Sequence, residues 1–349
     1  MNRSLYRSFT TQVLPLPYPS QTFAGKTVLI TGANTGIGLE AARHFVHLNA
    51  AKVVLGCRDL EKGEKAKRDI EATNHVDPKS DPARVEVWQV DLASFASVQA
   101  FCERAASSLD RLDVFIANAA TLGMSFATAE GHERITTVNL LSTWLMALLL
   151  LPVLRRTKER YYGKDGDGPA NNGSNVPHLV VVGSNAHFYT VFDGCDAPSV
   201  FEHLRSGSDM FHRYANTKLL SLLVAREVAA QMLDGRRRGR ADEVVLNIVE
   251  PGSCRTELLR EKVSWPWAYR AFVTVGFGIV GRTPEMGART YVSAAASGWE
   301  SHGVYLEDCK PSTPHQFVTS EQGARLQKKV YRELLDILEG ISPGISGNI

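Results

Sequence analysis

Residues 27–38 read Thr27-Val-Leu-Ile-Thr31-Gly32-Ala33-Asn34-Thr35-Gly36-Ile37-Gly38, and the fold follows from them. Thr27 to Thr31 is a short β-branched run ending in glycine, the pattern of a buried strand. Ile37 to Leu48 then shows helical spacing. A glycine cluster between a strand and a helix has a physical purpose. Gly32 permits the tight turn, Gly36 removes a Cβ where a pyrophosphate must come close, and Gly38 lets the helix pack near the strand. N–H groups freed at the helix start hold phosphates. Gly32, Asn34, Thr35, Gly36, Ile37 and Gly38 are therefore the first candidates for a dinucleotide site.

Outward from this loop, strand and helix patterns alternate. Lys52 to Cys57, Arg84 to Val90, Leu112 to Ala117, His178 to Gly183 and Val244 to Val249 read as strands, with Gly303 to Leu306 as a short seventh. Charged or amphipathic helices lie between them, such as Asp59 to Thr73 and Ser94 to Ser108. Apolar strands in such alternation mean a parallel sheet covered on both faces. The expected fold is α/β, a single doubly wound Rossmann-type parallel sheet of about seven strands. Residues 1–23 form an extended arm, 24–310 the catalytic domain with a flap at 253–281, and 311–349 a C-terminal helical extension. Within that extension, Ser320 to Gly340 reads as one amphipathic helix.

Composition narrows the function. With 349 residues, 39 Lys+Arg against 37 Asp+Glu and a net charge of +2, the chain has no global attraction for nucleic acid or anionic membrane. The basic run Gly235 to Arg240 reads as a solvated turn, and Gly163 to Pro177 as a polar surface loop. The five cysteines are scattered without a CxxC pair, so no metal site is expected, and a reducing, cytoplasmic setting fits. Val138 to Leu154 is apolar, but it falls short of the ~20 residues of a bilayer crossing and Pro152 closes it. A core helix is expected there, and no transmembrane segment. Met1 to Gln21 carries Arg3 and Arg7 and no acid, a transit-peptide trait. Its Leu-Pro-Leu-Pro-Tyr-Pro run fits a stiff extended arm better.

The second strand ends in Gly56-Cys57-Arg58. A cation there, with Lys62 one turn on, suits a 2′-phosphate and hence NADP (NADPH), whereas an acid would suit NAD. Asp59 is an alternative partner for Arg58. Asp91 and Leu92 follow the third strand and Asn118 and Ala119 the fourth, at the strand ends where open α/β sheets bind ligands.

Ser184 closes the fifth strand, and Tyr214 and Lys218 are spaced i, i+4 at the head of a predicted helix. That spacing sets phenol and ammonium on one face. A free tyrosine titrates at about 10. A nearby ammonium and an oxidised nicotinamide ring favour its phenolate and make it a usable acid/base. Ser184 can hydrogen-bond a carbonyl oxygen where charge develops. Asn139, in the preceding core helix, can hold a water that links Lys218 to solvent.

This ordered set resembles the short-chain dehydrogenase/reductase family over roughly residues 24 to 310. The glycine loop matches that family's Thr-Gly-xxx-Gly-Ile-Gly spacing. The resemblance implies that Asn139, Ser184, Tyr214 and Lys218 form the catalytic tetrad, and that Pro251, Gly252 and Thr256 lie along the nicotinamide. Gly56 to Glu64 is similar to the retinol-dehydrogenase-like branch. The Pro-Tyr-Pro arm and Ser301-His302-Gly303 resemble filamentous-fungal members, some of them tailoring enzymes of secondary metabolism. The family's Asn-Ala-Gly is Asn118-Ala119-Ala120 here. The long gap from Ser184 to Tyr214 implies an elaborated substrate loop around His187 to Asp209, and His187 either touches substrate or packs in the core. Trp265, Trp267, Tyr269, Phe272 and Phe277 suggest an aromatic flap over a bulky apolar carbonyl or alcohol. The same aromatics fit packing onto the body or a homodimer contact. The expectation is an NADPH-dependent carbonyl reductase. Its rivals are an NADP enzyme of another type, such as a cyclase, and a non-catalytic NADP sensor, which has no need of the Tyr214–Lys218 pair.

Overall fold

The computed structural model describes residues 12, 14–76, 81, 84–123, 125–162, 176–190, 192–206, 210–237, 244–255 and 281–349. Residues 1–11 and 13 of the arm, residues 191 and 207–209 of the expected substrate loop, residues 256–280 of the flap with Thr256 and the five aromatics, residues 163–175 of the polar loop and residues 238–240 of the basic run lie outside them.

The strands of the main sheet are β1 (Thr27–Thr31), β2 (Lys52–Cys57), β3 (Val85–Gln89), β4 (Val114–Ala117), β5 (His178–Val182), β6 (Val245–Glu250), β7 (Tyr305–Glu307) and β8 (Lys310–Pro311). They form one sheet in the order β8-β7-β6-β5-β4-β1-β2-β3. Seven are parallel, and the two-residue β8 returns antiparallel on β7. This is the expected doubly wound sheet with an added edge. Order reverses between β1 and β4, so the crevice beyond their C-terminal ends is the topological switch point.

Helices α1 (Gly36–His47), α2 (Leu60–Thr73), α3 (Phe95–Ser108), α4 (Thr143–Tyr161), α5 (Val200–Arg205), α6 (Arg213–Arg237), α7 (Pro284–Ala296) and α8 (Glu321–Ile341) cover it. Side chains alternate along each strand, and the core divides accordingly. Leu29 joins a cluster with Phe101, Trp144, Leu223 and Leu334. Its neighbours Val28 and Ile30 join Phe45, Ile70 and Tyr291 on the other face. Helices α3, α4, α6 and α8 thus fill one face, and α1, α2 and α7 the other.

Helix starts follow local chemistry. Asp59 caps α2, Ser94 caps α3 and Ser320 caps α8, each accepting an N–H of the first turn with its side chain. Leu326, Val330, Leu334 and Leu338 line the buried stripe of α8 at the spacing of one helical face.

Helix α4 departs from expectation. Pro152 does not end it; the helix runs on to Tyr161 with Pro152 inside. Proline has no N–H for the carbonyl four residues back. That carbonyl, of Leu148, instead accepts from Asn348 Nδ2 at 3.2 Å, so the C-terminal segment supplies the missing donor. The whole helical run Arg134–Tyr161 is long and apolar enough to cross a membrane, but 89% of its apolar window is buried within the protein. It is the central helix of the core, as its sequence suggested.

The described part of the N-terminal arm, from Leu14 to Phe23, lies along α1 and α7. Leu16 and Phe23 are buried, Tyr18 meets His44 edge-on at 5.3 Å, and the Arg289 guanidinium sits 4.9 Å over the Tyr18 ring.

Candidate active site

The glycine loop closes around the end of β1. Gly32 and Gly36 take φ of 65° and 61°. A Cβ on Gly38 would stand 2.6 Å from the Gly32 carbonyl and 2.7 Å from Asn118 Nδ2, so only glycine fits that approach. Thr35 caps α1 with extended backbone and no side-chain bond, and the first turn holds no acid. The first N–H groups of α1 are thus left facing a partly exposed lip formed by Asn34, Thr35, Gly36 and Ile37, which suits a phosphate. Asn118 fastens the loop to β4. Its Nδ2 donates to the Thr31 carbonyl at 2.7 Å, and its Oδ1 accepts from Tyr291 Oη at 2.8 Å. Thr31 Oγ1 accepts the backbone N–H groups of Asn118 and Ala119 at 3.1 and 3.0 Å.

At the end of β2 the two cations differ. Lys62 Nζ pairs with Asp59 Oδ2 at 3.0 Å. Arg58 is exposed. Asp59 therefore takes Lys62 as its partner, and not Arg58. Asp91 Oδ1 accepts the Ala93 N–H at 2.9 Å, and the buried Leu92 gives its carbonyl to Ser142 Oγ at 2.7 Å.

Ser184 lies one residue beyond β5, after Gly183, and Tyr214 and Lys218 lie on the first turns of α6. Lys218 Nζ donates to the Val182 carbonyl at 2.8 Å and stands 5.8 Å from the Tyr214 ring centre. Burial lowers the Lys218 ammonium to about 8. Burial pushes the Tyr214 phenol up to about 12, against a hydrogen bond with Ser184 and with added repulsion from Glu250. Among the protein's own groups burial outweighs the expected pull of Lys218 on the phenol, so Tyr214 is held neutral, with the Lys218 ammonium directed to Val182.

Asn139 sits in a π-helical turn, Thr137–Ser142, at the head of the central helix, a feature frequent at functional sites. Its Oδ1 accepts the Thr121 N–H at 2.8 Å, and its Nδ2 donates to the Thr121 carbonyl at 2.9 Å and to Thr217 Oγ1 at 3.3 Å. Both amide hydrogens are engaged, so the expected water-holding role does not fall to them. Asn139 instead ties the loop after β4 to α6, one residue from Lys218.

His187 is a core residue. It is 1% exposed, its Nδ1 lies 2.6 Å from the Ser184 carbonyl, and its Nε2 accepts the His315 N–H at 3.2 Å. Burial lowers it to about 4, so it is neutral, with the proton on Nδ1. Pro251 is buried, and Gly252 takes φ of 83°.

Several residues of this region escaped the sequence reading. Glu250 ends β6 with its carboxyl buried, accepting the Asn185 N–H at 3.3 Å. Burial, then the neighbouring Glu307, raises it to about 8. An acid closing the apolar run before Pro251-Gly252 was a visible signal. Tyr291 and Gln12 gave none, because their partners are distant in sequence. Among the described residues no group of three or more His, Cys, Asp or Glu forms a metal site.

The short chain dehydrogenase family model matches residues 26–163. The chain is 37% identical over 343 residues to the short chain dehydrogenase/reductase dmxR8 of Cryptosporiopsis sp., covering 95% of this chain and 96% of that one. It is 42% identical over 309 residues to the short chain dehydrogenase atnD of Emericella nidulans, covering 87% and 90%. Among solved structures, the Pseudomonas aeruginosa RhlG/NADP active-site complex superposes with a TM-score of 0.57 at 20% identity, covering 83% of this chain and 97% of that one. A short chain dehydrogenase of Escherichia coli CFT073 complexed with NADPH gives 0.55 at 19%, covering 83% and 99%. Relatives that match nearly end to end, on a sheet whose switch point gathers the glycine loop, Ser184, Tyr214 and Lys218, leave one assignment: the chain belongs to the short-chain dehydrogenase/reductase family and is an oxidoreductase of CH–OH and C=O groups that uses a nicotinamide cofactor.

Proposed function

We propose that the chain is an NADPH-dependent carbonyl reductase, or alcohol dehydrogenase in reverse, acting on a bulky apolar substrate, as in fungal secondary metabolism. One observation carries the reading. Tyr214 and Lys218 stand together on the first turns of α6, the Lys218 ammonium 5.8 Å from the Tyr214 ring centre, beside Ser184 beyond the end of β5.

Gly32, Asn34, Thr35, Gly36, Ile37 and Gly38 hold the pyrophosphate. Asp91, Leu92, Asn118 and Ala119 flank the adenine side, and Pro251, Gly252 and Thr256 the nicotinamide. When bound, the reduced nicotinamide supplies a hydride. Ser184 donates a hydrogen bond to the substrate carbonyl oxygen. Tyr214 transfers its proton to that oxygen as the carbonyl carbon gains the hydride, giving the alcohol. Lys218, still charged below about pH 8, stabilises the phenolate left behind. Asn139 keeps α6 in register with the loop after β4.

Arg58 supports NADPH over NADH, since it is exposed at the ribose end of β2 while Asp59 is occupied by Lys62. Two proteins of the same fold are NADP or NADPH complexes, which accords with this. Tyr189 and Phe211, exposed rings on the segments bearing Ser184 and Tyr214, suit an apolar substrate.

The test is cofactor oxidation by the purified chain across a panel of ketones and aldehydes. Consumption of NADPH, fastest with bulky apolar carbonyls, is expected. A preference for NADH, or turnover of small polar carbonyls alone, overturns the corresponding part.

A further inference from the structure

The arm before β1 does more than lie on the surface. Gln12 is 6% exposed, and its amide pairs with both backbone groups of one residue 241 positions away. Nε2 donates to the Ser253 carbonyl at 2.8 Å, and Oε1 accepts the Ser253 N–H at 3.1 Å. The Ser253 carbonyl also accepts the Arg282 N–H at 2.9 Å, at the bridge between Cys254 and Arg282; the Ser253 N–H is met by the Gln12 side chain. Backbone polar groups buried beyond the end of a sheet need such a partner.

Around this pair the packing is tight. A Cβ on Gly252 would stand 2.8 Å from Arg282 Nη1 and 2.9 Å from Gln12 Oε1. Arg282 is buried; its Nε donates to the Gln12 carbonyl at 3.2 Å, and its Nη2 pairs with Asp308 at 2.5 Å. Ser253 Oγ in turn accepts from Asn185 Nδ2 at 3.1 Å, and Asn185 follows Ser184. One chain of contacts thus runs from the arm through the loop after β6 to the edge of the catalytic serine.

We propose that the arm is part of the cofactor site, with Gln12 the positioning residue of the loop Pro251–Ser253; this rests on the reading that the loop lies along the nicotinamide. The arm fixes the loop's backbone before ligand arrives, so binding does not have to order it. The arm is held in place separately, by Arg289 Nη1 to the Leu16 carbonyl at 2.6 Å and by Tyr18 against His44. A change at Gln12 therefore acts on the loop without freeing the arm.

The experiment compares the full chain with Gln12→Leu, which keeps the shape and removes both bonds, and Gln12→Glu, which keeps only the acceptor. NADPH affinity is measured by titration calorimetry, and backbone order by hydrogen exchange of the unliganded proteins. In Gln12→Leu the Ser253 amide should exchange roughly tenfold faster or more, and NADPH should bind about tenfold more weakly. The amides of β6 should keep their protection, and Gln12→Glu should fall between. Unchanged NADPH affinity in Gln12→Leu overturns the proposal, whether or not Ser253 exchanges faster, since Gln12 is then structural only. Weaker binding accompanied by lost protection throughout β6 overturns it too, because the effect is then global. A wild type that binds no NADPH defeats the cofactor reading itself, whereas wild-type binding with an unaffected variant defeats this proposal alone.

Discussion

At the level of single residues, chemistry rests on groups whose protonation the fold sets. Tyr214 carries its proton across the neutral range because burial holds it near 12. Tyr214→Phe keeps the ring and deletes the transferable proton. Turnover should drop by ~10²-fold or more while NADPH binding, followed by fluorescence titration, is retained. Lys218 titrates near 8 in the fold, being an ammonium below that pH and a neutral amine above. Reductive kcat/KM should therefore decline above about pH 8. Lys218→Arg stays charged and should remove that decline; a persistent decline would assign it to Glu250, which titrates in the same range. His187 acts at one remove, through its Nδ1–H on the Ser184 carbonyl. Asn places a donor close to where Nδ1 stands, and Gln places one near Nε2. His187→Asn should thus preserve kcat better than His187→Gln, with the cofactor KM unmoved in both. The Tyr214–Lys218 pair and the strand-end Ser184 were legible in the sequence because spacing on one helix and position at a strand end are local facts. The direction of the Lys218 ammonium was not, since Val182 meets it only once β5 and α6 have packed.

At the level of elements, the strands were legible for the same local reason. Runs such as Val28 to Ile30 and Val53 to Leu55 are apolar on both faces, as strands covered by helices on both sides must be. Sequence failed at Pro152, where a residue that ordinarily stops a helix is bridged by a donor from the far end of the chain. If Asn348 Nδ2 satisfies the Leu148 carbonyl, Asn348→Ala leaves that buried acceptor unpaired, at a cost of about 1 kcal/mol. Pro152→Ala restores a backbone N–H in the right place. In that background Asn348→Ala should cost almost nothing, and denaturant unfolding of the four proteins of the cycle measures the difference. Equal losses in both backgrounds would mean that Asn348 stabilises the chain by another route.

For the whole molecule, the buried acid Glu250, beside Glu307 across β6 and β7, couples folding to pH. Glu250 is raised in the fold from the usual glutamate value of about 4.5 to about 8. Its contribution to stability is complete below about 4.5 and is lost as pH rises through about 8. Facing groups are Glu307, Arg282 and the Asn185 N–H, with Tyr214 and Tyr305 feeling its charge. Glu250→Gln stays neutral. The variant should match the wild type near pH 5 and exceed it in Tm by at least about 2 °C at pH 9, as expected for roughly 1 kcal/mol in a large domain. A constant gap between the two proteins across that range would show that Glu250 does not titrate there. Docking of the N-terminal arm on the loop after β6 belongs to this scale too, and was hidden from the sequence because it joins residues 241 apart.

The π-helical turn at Thr137–Ser142 has a consequence for insertions and deletions. Such a turn is what one additional residue leaves in an otherwise regular helix. Deleting one residue there, Leu140 for example, would restore a regular helix. Each residue of a regular α-helix advances it by about 100°; the wide turn absorbs that rotation, so the helix on either side would keep its phase and only the residues of the turn would shift. Asn139 would swing away from Thr121 and Thr217 while Trp144 and Leu148 kept their places in the core. The protein would then fold with an intact centre and a misaligned site, so this position tolerates substitution far better than a change of length.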